Sequence, residues 1–257
     1  MKSSYLLLLL PIYILIACMM KEPKAKEITE PIIKPGNGFA VIELFTSQGC
    51  SSCPSADEVL SSWVKKAEKE QIQVYPLAFH VDYWNRLGWK DPFSQSSYSE
   101  RQSSYVSKMK LNSAYTPQVI VNGKVECVGS NAELIGKHVM HNLSLSPENH
   151  IVLAIPSTTN GVIDKIGYHI DGDLNNLRMN IAIVEQKLVT IIRKGENSGK
   201  TLTNDNVVRE FTQIAPQING EIPIKLAPEL IKDNTSIIVY LQDVNTLEIK
   251  AAKSSKL

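Results

Sequence analysis

The chain has 257 residues, a formal net charge of +1 and a charged fraction of 21%. This length suffices for one large domain or two ordinary ones with a buried core. Proteins that bind nucleic-acid phosphates need clustered Lys and Arg, and this near-neutral chain has no such cluster, so we expect no nucleic-acid partner.

The N-terminal segment has the pattern of an export signal. Lys2 is followed by an apolar stretch that closes with Leu15-Ile16-Ala17-Cys18 and is about as long as a secretory signal. A small residue followed at once by Cys resembles the bacterial lipobox. The resemblance implies that residues 1–17 are a lipoprotein signal peptide and that lipidated Cys18 anchors the exported chain to a membrane of the cell envelope. A transmembrane anchor, or an ordinary signal with a chance Cys, is the alternative. Residues 18–37 are polar and are predicted to form a tether.

Residues 38–144 alternate strand and helix patterns. Short apolar runs indicate buried strands, a spacing of three and four indicates helices, and Asn122-Gly123 is a strong hairpin signal. The predicted elements are strand 39–45, a helix from Cys50, strand 73–79, helix 94–110, strands 118–121 and 124–128, and a helix capped by Asn131. This β-α-β-α-β-β-α order predicts an α/β domain that contains a parallel strand–helix–strand unit.

Residues 145–257 have a different pattern, in which alternating or β-branched runs are separated by turn signals such as Asn160-Gly161 and Asn219-Gly220. The predicted strands are 151–155, 162–170, 177–184, 187–192 and 236–241. Short strands with little helical pattern indicate an antiparallel sandwich. The sequence therefore predicts an α/β domain at 38–144 followed by an antiparallel β-sandwich-like domain at 145–257.

The motif Cys50-Ser51-Ser52-Cys53 carries the most chemical information. It follows an apolar strand and opens a helix, where unpaired amides favour a negative charge. A lowered pKa increases the thiolate fraction, and the thiolate is the attacking species in disulfide exchange. We therefore expect Cys50 to be the nucleophile and Cys53, shielded one turn inward, to be the resolving thiol. The hydroxyls of Ser51 and Ser52 are candidate hydrogen-bond donors to the thiolate.

A Thr116-Pro117 pair begins a strand about 65 residues after this motif, and with it the chain resembles the thioredoxin superfamily. The resemblance implies a thioredoxin-like fold for residues 38–144. It also implies a cis peptide bond before Pro117, packing of the pair against Cys50, and binding of an extended substrate by the backbone of Thr116.

Longer motifs narrow this resemblance. The segments 43–54, 80–84, 87–93, 115–118 and 195–199 are similar to the secreted thioredoxin-like family known as domain of unknown function 1223. The similarity spans about residues 38–257 and implies a redox role without supplying a substrate.

Three further side chains are candidates near the dithiol. Glu43 lies in the strand before Cys50, so it is either a proton acceptor for Cys53 or a carboxylate paired with a Lys. His80 and Asp82 follow the next strand, at the sheet end that carries the motif. His80 is either a proton shuttle or a structural histidine.

The remaining motifs are predicted to be structural. Cys127 is expected to be a buried inert thiol, and the segment from Gly195 to Gly199 is interpreted as a turn between strands. The aromatic residues Tyr83, Trp84, Trp89 and Phe93 are expected mainly to pack, although they could form an apolar lip for a peptide.

The sequence thus predicts an envelope thiol–disulfide oxidoreductase with no cofactor and no metal. Its expected partners are the thiols and disulfides of envelope proteins and an unidentified redox protein. The alternative is a lipid-anchored binding module whose Cys50–Cys53 pair binds copper or forms a structural disulfide. The direction of exchange stays open, because it depends on how strongly the fold stabilises the Cys50 thiolate.

Overall fold

The structure is a computed structural model that describes residues 37–257 apart from 155, 156, 160 and 161. The predicted signal peptide (1–17), the lipidation site Cys18 and all of the predicted tether except Asn37 lie outside the described residues. No helix in the described part of the chain is long and apolar enough to cross a membrane.

The first half of the described chain has the predicted β-α-β-α-β-β-α order. Its elements are β1 (Ala40–Thr46), α1 (Cys53–Glu70), β2 (Val74–His80), α2 (Ser96–Lys108), β3 (Gln118–Val121), β4 (Val125–Val128) and α3 (Ala132–Leu143). The Asn131 side chain caps α3 by accepting a hydrogen bond from the amide of Leu134, as its position predicts. Helix α1 begins at Cys53 rather than at Cys50, so Cys50 lies in the turn that precedes the helix.

The second half is made of strands. These are β5 (His150–Leu153), β6 (Ser157–Thr159), β7 (Val162–Asp171), β8 (Leu177–Glu185), β9 (Leu188–Ile191), β10 (Thr201–Asn204), β11 (Val207–Ile214), β12 (Asn219–Pro223), β13 (Thr235–Asp243) and β14 (Ile249–Lys256). Strands β6, β10, β11, β12 and β14 were not predicted, and Asn219-Gly220 opens β12 instead of forming a turn.

One large sheet contains strands from both halves. It has eight strands in the order β14-β13-β8-β11-β2-β1-β3-β4, with β1–β2 and β2–β11 parallel and the other pairs antiparallel. The junction between the halves lies at Val207, which pairs with Ala78, and the Asn206 side chain donates to the carbonyl of Pro76 at 2.9 Å.

A shared core accompanies the shared sheet. Phe45, Phe79 and Tyr98 from the first half pack in one buried cluster with Val184 and Tyr240 from the second. The segments 38–144 and 145–257, predicted as separate domains, are therefore joined through one sheet and one core. The change in pattern near residue 144 marks the transition from helices and parallel strands to antiparallel strands.

Two smaller sheets complete the second half. Strands β12, β7 and β5, with β6 beside β7, form a sheet that contributes to a second buried cluster with β8, β13 and β14. Strands β9 and β10 form a separate hairpin. Its connecting loop, residues 192–200, lies against the segment that contains Cys50.

Candidate functional site

The turn between β1 and α1 brings the Cys50 thiol to the start of a helix. The amide of Cys53 donates to the carbonyl of Cys50 at 3.2 Å, which closes the turn. The Cys50 sulfur lies 3.3 Å from the Ser52 hydroxyl and 3.9 Å from the Thr116 carbonyl oxygen. The first distance is that of a hydrogen bond in which a thiolate would accept from the hydroxyl.

The two thiols of the motif have opposite acidities. The neighbouring Cys53 thiol lowers the pKa of Cys50 most strongly; burial opposes this effect, Ser52 and Thr116 reinforce it, and the resulting pKa is about 6. Burial and the adjacent Cys50 raise the pKa of Cys53 far above its usual range. Both cysteines are free thiols. Near neutral pH the Cys50 thiol is therefore largely ionised, whereas the Cys53 thiol keeps its proton.

Asp57 is a buried carboxyl group next to this pair, and the sequence analysis did not single it out. It lies four residues after Cys53 on α1, which places both on one helix face. Burial raises its pKa to about 7, although the charge of His80 lowers it in part. Its charge in turn contributes to the raised pKa of Cys53.

Three buried polar atoms of this region have no hydrogen-bond partner within the described residues: Asp57 Oδ1, Thr46 Oγ1 and His80 Nε2. Unpaired buried polar groups are costly and uncommon. The three unpaired atoms belong to residues on neighbouring elements, namely the end of β1, helix α1 and the end of β2.

His80 is held by Asp91, a residue that the sequence analysis did not identify. His80 Nδ1 lies 2.7 Å from Asp91 Oδ2, and both side chains are fully buried. Burial would lower the pKa of His80, but the charges of Asp91 and Asp57 outweigh it, so the pKa is above its ordinary value. The charge of His80 acts on Asp57 and the charge of Asp57 acts on Cys53, so His80 is coupled to the dithiol through Asp57.

Glu43 lies elsewhere. Alternate residues of β1 face opposite sides of the sheet, and Glu43 faces away from α1, towards the core that contains Tyr105 and Tyr240. Arg101 binds both of its carboxylate oxygens, at 2.7 and 3.0 Å. The structure therefore places Glu43 in an ion pair, with Arg101 instead of a Lys, and not beside Cys53.

Asp82 is also away from the thiols. Its carboxylate accepts a hydrogen bond from the Ser99 hydroxyl at 2.6 Å, and its amide donates to the same hydroxyl. Asp82 therefore ties the end of β2 to helix α2.

The Thr116–Pro117 segment lies against Cys50, in agreement with the sequence-based expectation, and its peptide bond is cis. Trp84 Nε1 donates to the Thr116 hydroxyl at 2.7 Å, which fixes this segment from the aromatic loop. Gly129 follows β4, where an added Cβ would lie 2.9 Å from the Cβ atoms of Ala56 and Pro117. Only glycine permits this close approach.

Cys50 itself is fully buried, whereas the flanking Ser51 and Ser52 are exposed. The sequence analysis expected only Cys53 to be shielded. A distant segment also contacts this turn, because the Asn197 side chain donates to the carbonyl of Cys50 at 2.8 Å. The 195–199 segment, interpreted as a plain turn, therefore contacts the dithiol motif directly.

Cys127 lies on β4, buried against the α1 side of the sheet. Burial and the nearby Glu126 raise its pKa to about 11, which keeps it a neutral thiol. Among the described residues, no group of three or more His, Cys, Asp or Glu side chains is arranged to hold a metal ion.

Comparison with protein-family models shows to which family the chain belongs. The model of the family described as "Protein of unknown function (DUF1223)" matches residues 41–242, which includes the dithiol turn, the Asp57 pocket and the 195–199 segment. The chain belongs to this family. The match confirms the family that the sequence motifs indicate. No curated protein is detectably similar to the chain.

Comparison with solved structures finds similar chains from two bacteria. A protein from Agrobacterium tumefaciens, solved by a structural genomics consortium, is 25% identical over 84% of this chain and 92% of its own, with a TM-score of 0.66. HBP35 of Porphyromonas gingivalis is 14% identical over 86% of this chain and 76% of its own, with a TM-score of 0.55, and shows similarity of fold alone. A domain of the outer membrane lipoprotein Omp28 of Porphyromonas gingivalis, 16% identical over 43% of this chain and 88% of its own, has a TM-score of 0.24.

Proposed function

We propose that this DUF1223 protein is a thiol–disulfide oxidoreductase of the bacterial cell envelope. The observation that carries the proposal is the Cys50 thiol, held before helix α1 by a hydroxyl at 3.3 Å and a carbonyl at 3.9 Å with its pKa lowered to about 6. A thiol with this pKa is largely ionised near neutral pH. A structural thiol has no need of such an environment.

The reaction proceeds by two exchange steps. The Cys50 thiolate attacks one sulfur of a substrate disulfide, which forms a mixed disulfide and releases one substrate thiolate. The Cys53 thiolate then attacks the Cys50 sulfur, which forms the Cys50–Cys53 disulfide and releases the second substrate thiolate. Two electrons pass from the dithiol to the substrate, and the two thiol protons end on the released sulfurs. The reverse sequence oxidises a substrate dithiol.

Asp57 is the proposed proton acceptor for Cys53. The second step requires the more buried and less acidic thiol to lose its proton, and Asp57 lies one helical turn away with an unpartnered oxygen among the described residues. A carboxyl group with a pKa of about 7 is able both to accept and to return a proton near neutral pH. His80 and Asp91 are then positioning residues that tune Asp57.

The setting of this activity is part of the proposal. The element order of residues 40–143 and the approach of Thr116 to Cys50 support a relationship to the thioredoxin superfamily. The Leu15-Ile16-Ala17-Cys18 pattern supports export and lipid anchoring through Cys18. The proposed substrates are protein thiols and disulfides of the envelope.

Reduction of insulin disulfides with dithiothreitol as electron donor tests the function. Cys50→Ser is expected to reduce the rate to background, and Cys53→Ser to accumulate a mixed disulfide at Cys50. Cys127→Ala is the matched control and is expected to keep the wild-type rate, because this thiol is buried and its pKa is raised to about 11. Stoichiometric copper(I) binding by Cys50 and Cys53 without any exchange activity would overturn the proposal in favour of the binding module.

A further inference from the structure

The loop that connects β9 and β10 meets the dithiol turn although the two are about 145 residues apart in the chain. Gln48 Nε2 reaches the Thr190 hydroxyl at 3.0 Å and Asn204 Oδ1 at 3.1 Å, so the hairpin itself is fastened to the residue two before Cys50. The loop then places Asn197 and Glu196 against the backbone of Cys50 and Ser51.

Asn197 fixes the conformation of the turn that leads into Cys50. Its side chain is fully buried, and its Nδ2 donates to the carbonyls of Gln48 at 3.0 Å and Cys50 at 2.8 Å. Lys200 Nζ lies 2.9 Å from Oδ1, and an ammonium group donates only, so the orientation of the amide is determined. An Asp of the same shape would direct an acceptor at two carbonyl oxygens.

Glu196 places a carboxylate on the backbone amide that follows Cys50. Its Oε2 accepts a hydrogen bond from the amide of Ser51 at 2.9 Å, and this amide belongs to the peptide unit that starts at the Cys50 carbonyl. Amides before a helix N-terminus favour the thiolate, and here one of them already serves a carboxylate. A Cys50 thiolate therefore shares its stabilising surroundings with a second negative charge.

We propose that the 195–199 segment is part of the redox site, in which Asn197 positions the Cys50 backbone and Glu196 lowers the stability of the Cys50 thiolate. This inference rests on the proposed function and deepens it. A less stable Cys50 thiolate destabilises the reduced dithiol relative to the Cys50–Cys53 disulfide, so the disulfide is harder to reduce. Glu196 therefore lowers the reduction potential of the couple, which makes the dithiol a stronger reductant.

The test measures the Cys50 thiol directly. The pH dependence of iodoacetamide labelling at Cys50, read by peptide mass spectrometry on the reduced full chain, reports its ionisation without requiring exchange activity. Glu196→Gln keeps a hydrogen-bond acceptor for Ser51 and removes the charge. We expect labelling at a pH below the Cys50 pKa to become roughly two- to fivefold faster, the size expected for an exposed charge nearby.

Glu70→Gln is the matched control, because it removes an exposed charge at the other end of α1, about 25 Å away. Its labelling profile should coincide with that of the wild type. The redox equilibrium with glutathione is a second measurement. Glu196→Gln should shift it towards the reduced dithiol, because the Cys50 thiolate is more stable in this variant, whereas Glu70→Gln should leave it unchanged.

Asn197→Asp tests the positioning role. We expect labelling of Cys50 to slow by about tenfold and its pH profile to move upward, while thermal unfolding and labelling of Cys127 in denaturant show that the chain is folded and intact. Unchanged profiles in both Glu196→Gln and Asn197→Asp would overturn the inference. Shifted profiles in a protein that never reduces insulin would instead support the loop's role and contradict the proposed function.

Discussion

Two buried carboxylic acids on opposite sides of the large sheet differ in what surrounds them. Glu43, on β1, has both oxygens bound by Arg101 and one also bound by the Tyr240 hydroxyl at 2.7 Å. Asp57, on α1, has an oxygen without a partner among the described residues and a pKa raised to about 7 by burial. The first environment stabilises one charge state, whereas the second leaves both charge states within reach at neutral pH.

The difference separates an acid that is fixed in an ion pair from the acid that we propose accepts a proton from Cys53. Arg101 is itself surrounded by the rings of Phe79, Phe211 and Tyr240, with 4.9 Å from its guanidinium carbon to the Phe211 centroid. These contacts connect α2 to strands from both halves of the chain. Burial alone therefore does not distinguish a structural acid from a candidate proton acceptor. The number of carboxylate oxygens that have hydrogen-bond partners distinguishes them better.

The largest expected effect is on the Glu43 side. Arg101→Leu leaves the Glu43 carboxylate buried without its cation, and breaking such a pair costs about 3–5 kcal/mol. We expect the free energy of unfolding, measured in urea, to fall by that amount. The pH profile of Cys50 labelling in the folded variant should not change.

A matched comparison is Lys124→Met, which breaks the exposed ion pair between Lys124 and Glu248, 2.9 Å apart. This loss should be about 1 kcal/mol or less, because solvent screens the pair. Equal losses in the two variants would contradict the structural role assigned to Arg101.

The next prediction concerns Asp57, whose replacement is expected to raise the free energy of unfolding, whereas replacement of Arg101 lowers it. In the unfolded chain Asp57 ionises near 3.8, and in the folded protein near 7. As the pH rises between these values the unfolded chain loses its proton first, so this group progressively lowers the free energy of unfolding. Asp57→Asn removes the penalty, and we expect a gain of up to about 4 kcal/mol at pH 8 that disappears towards pH 4.

The same variant should slow the second exchange step. Loading Cys50 with a chromogenic thiol as a mixed disulfide isolates the attack by Cys53, because release of the chromophore then reports that step alone. We expect release to become about ten- to a hundredfold slower in Asp57→Asn. Glu58→Gln, an exposed change at the neighbouring position, is the control. A variant that is more stable but releases at the wild-type rate would remove Asp57 from the mechanism.

Much of the first half was predictable because its signals are local. The apolar runs, Asn122-Gly123 and the Asn131 cap set β1, the β3–β4 hairpin and α3 within a few residues. Asp57 was also within reach of the sequence, since it lies four residues after Cys53 on a predicted helix face. Glu43 does not lie near Cys53 as a proton acceptor would, because the odd-numbered residues of β1 face the side of the sheet away from α1.

The rest depends on contacts between distant parts of the chain. Strand β11 (Val207–Ile214) has several polar residues in its sequence and is largely exposed or half-buried, so it lacks the pattern of a buried strand. It nevertheless joins the two halves of the sheet. Nothing in residues 195–199 indicates that Asn197 would bind the carbonyl of Cys50. Local patterns do not encode which loop packs on which turn.

The smallest effect concerns how Asp57 is tuned. The charge of His80 lowers the pKa of Asp57, and Asp91, whose Oδ2 lies 2.7 Å from His80 Nδ1, raises the pKa of His80. His80→Gln removes the charge while its amide remains able to donate to Asp91. The pKa of Asp57 should therefore rise, and the pH midpoint of chromophore release should move upward by about one unit. His141→Gln, an exposed histidine on α3, should leave the midpoint in place. A downward shift in His80→Gln would mean that Asp57 is not the group that titrates in this step.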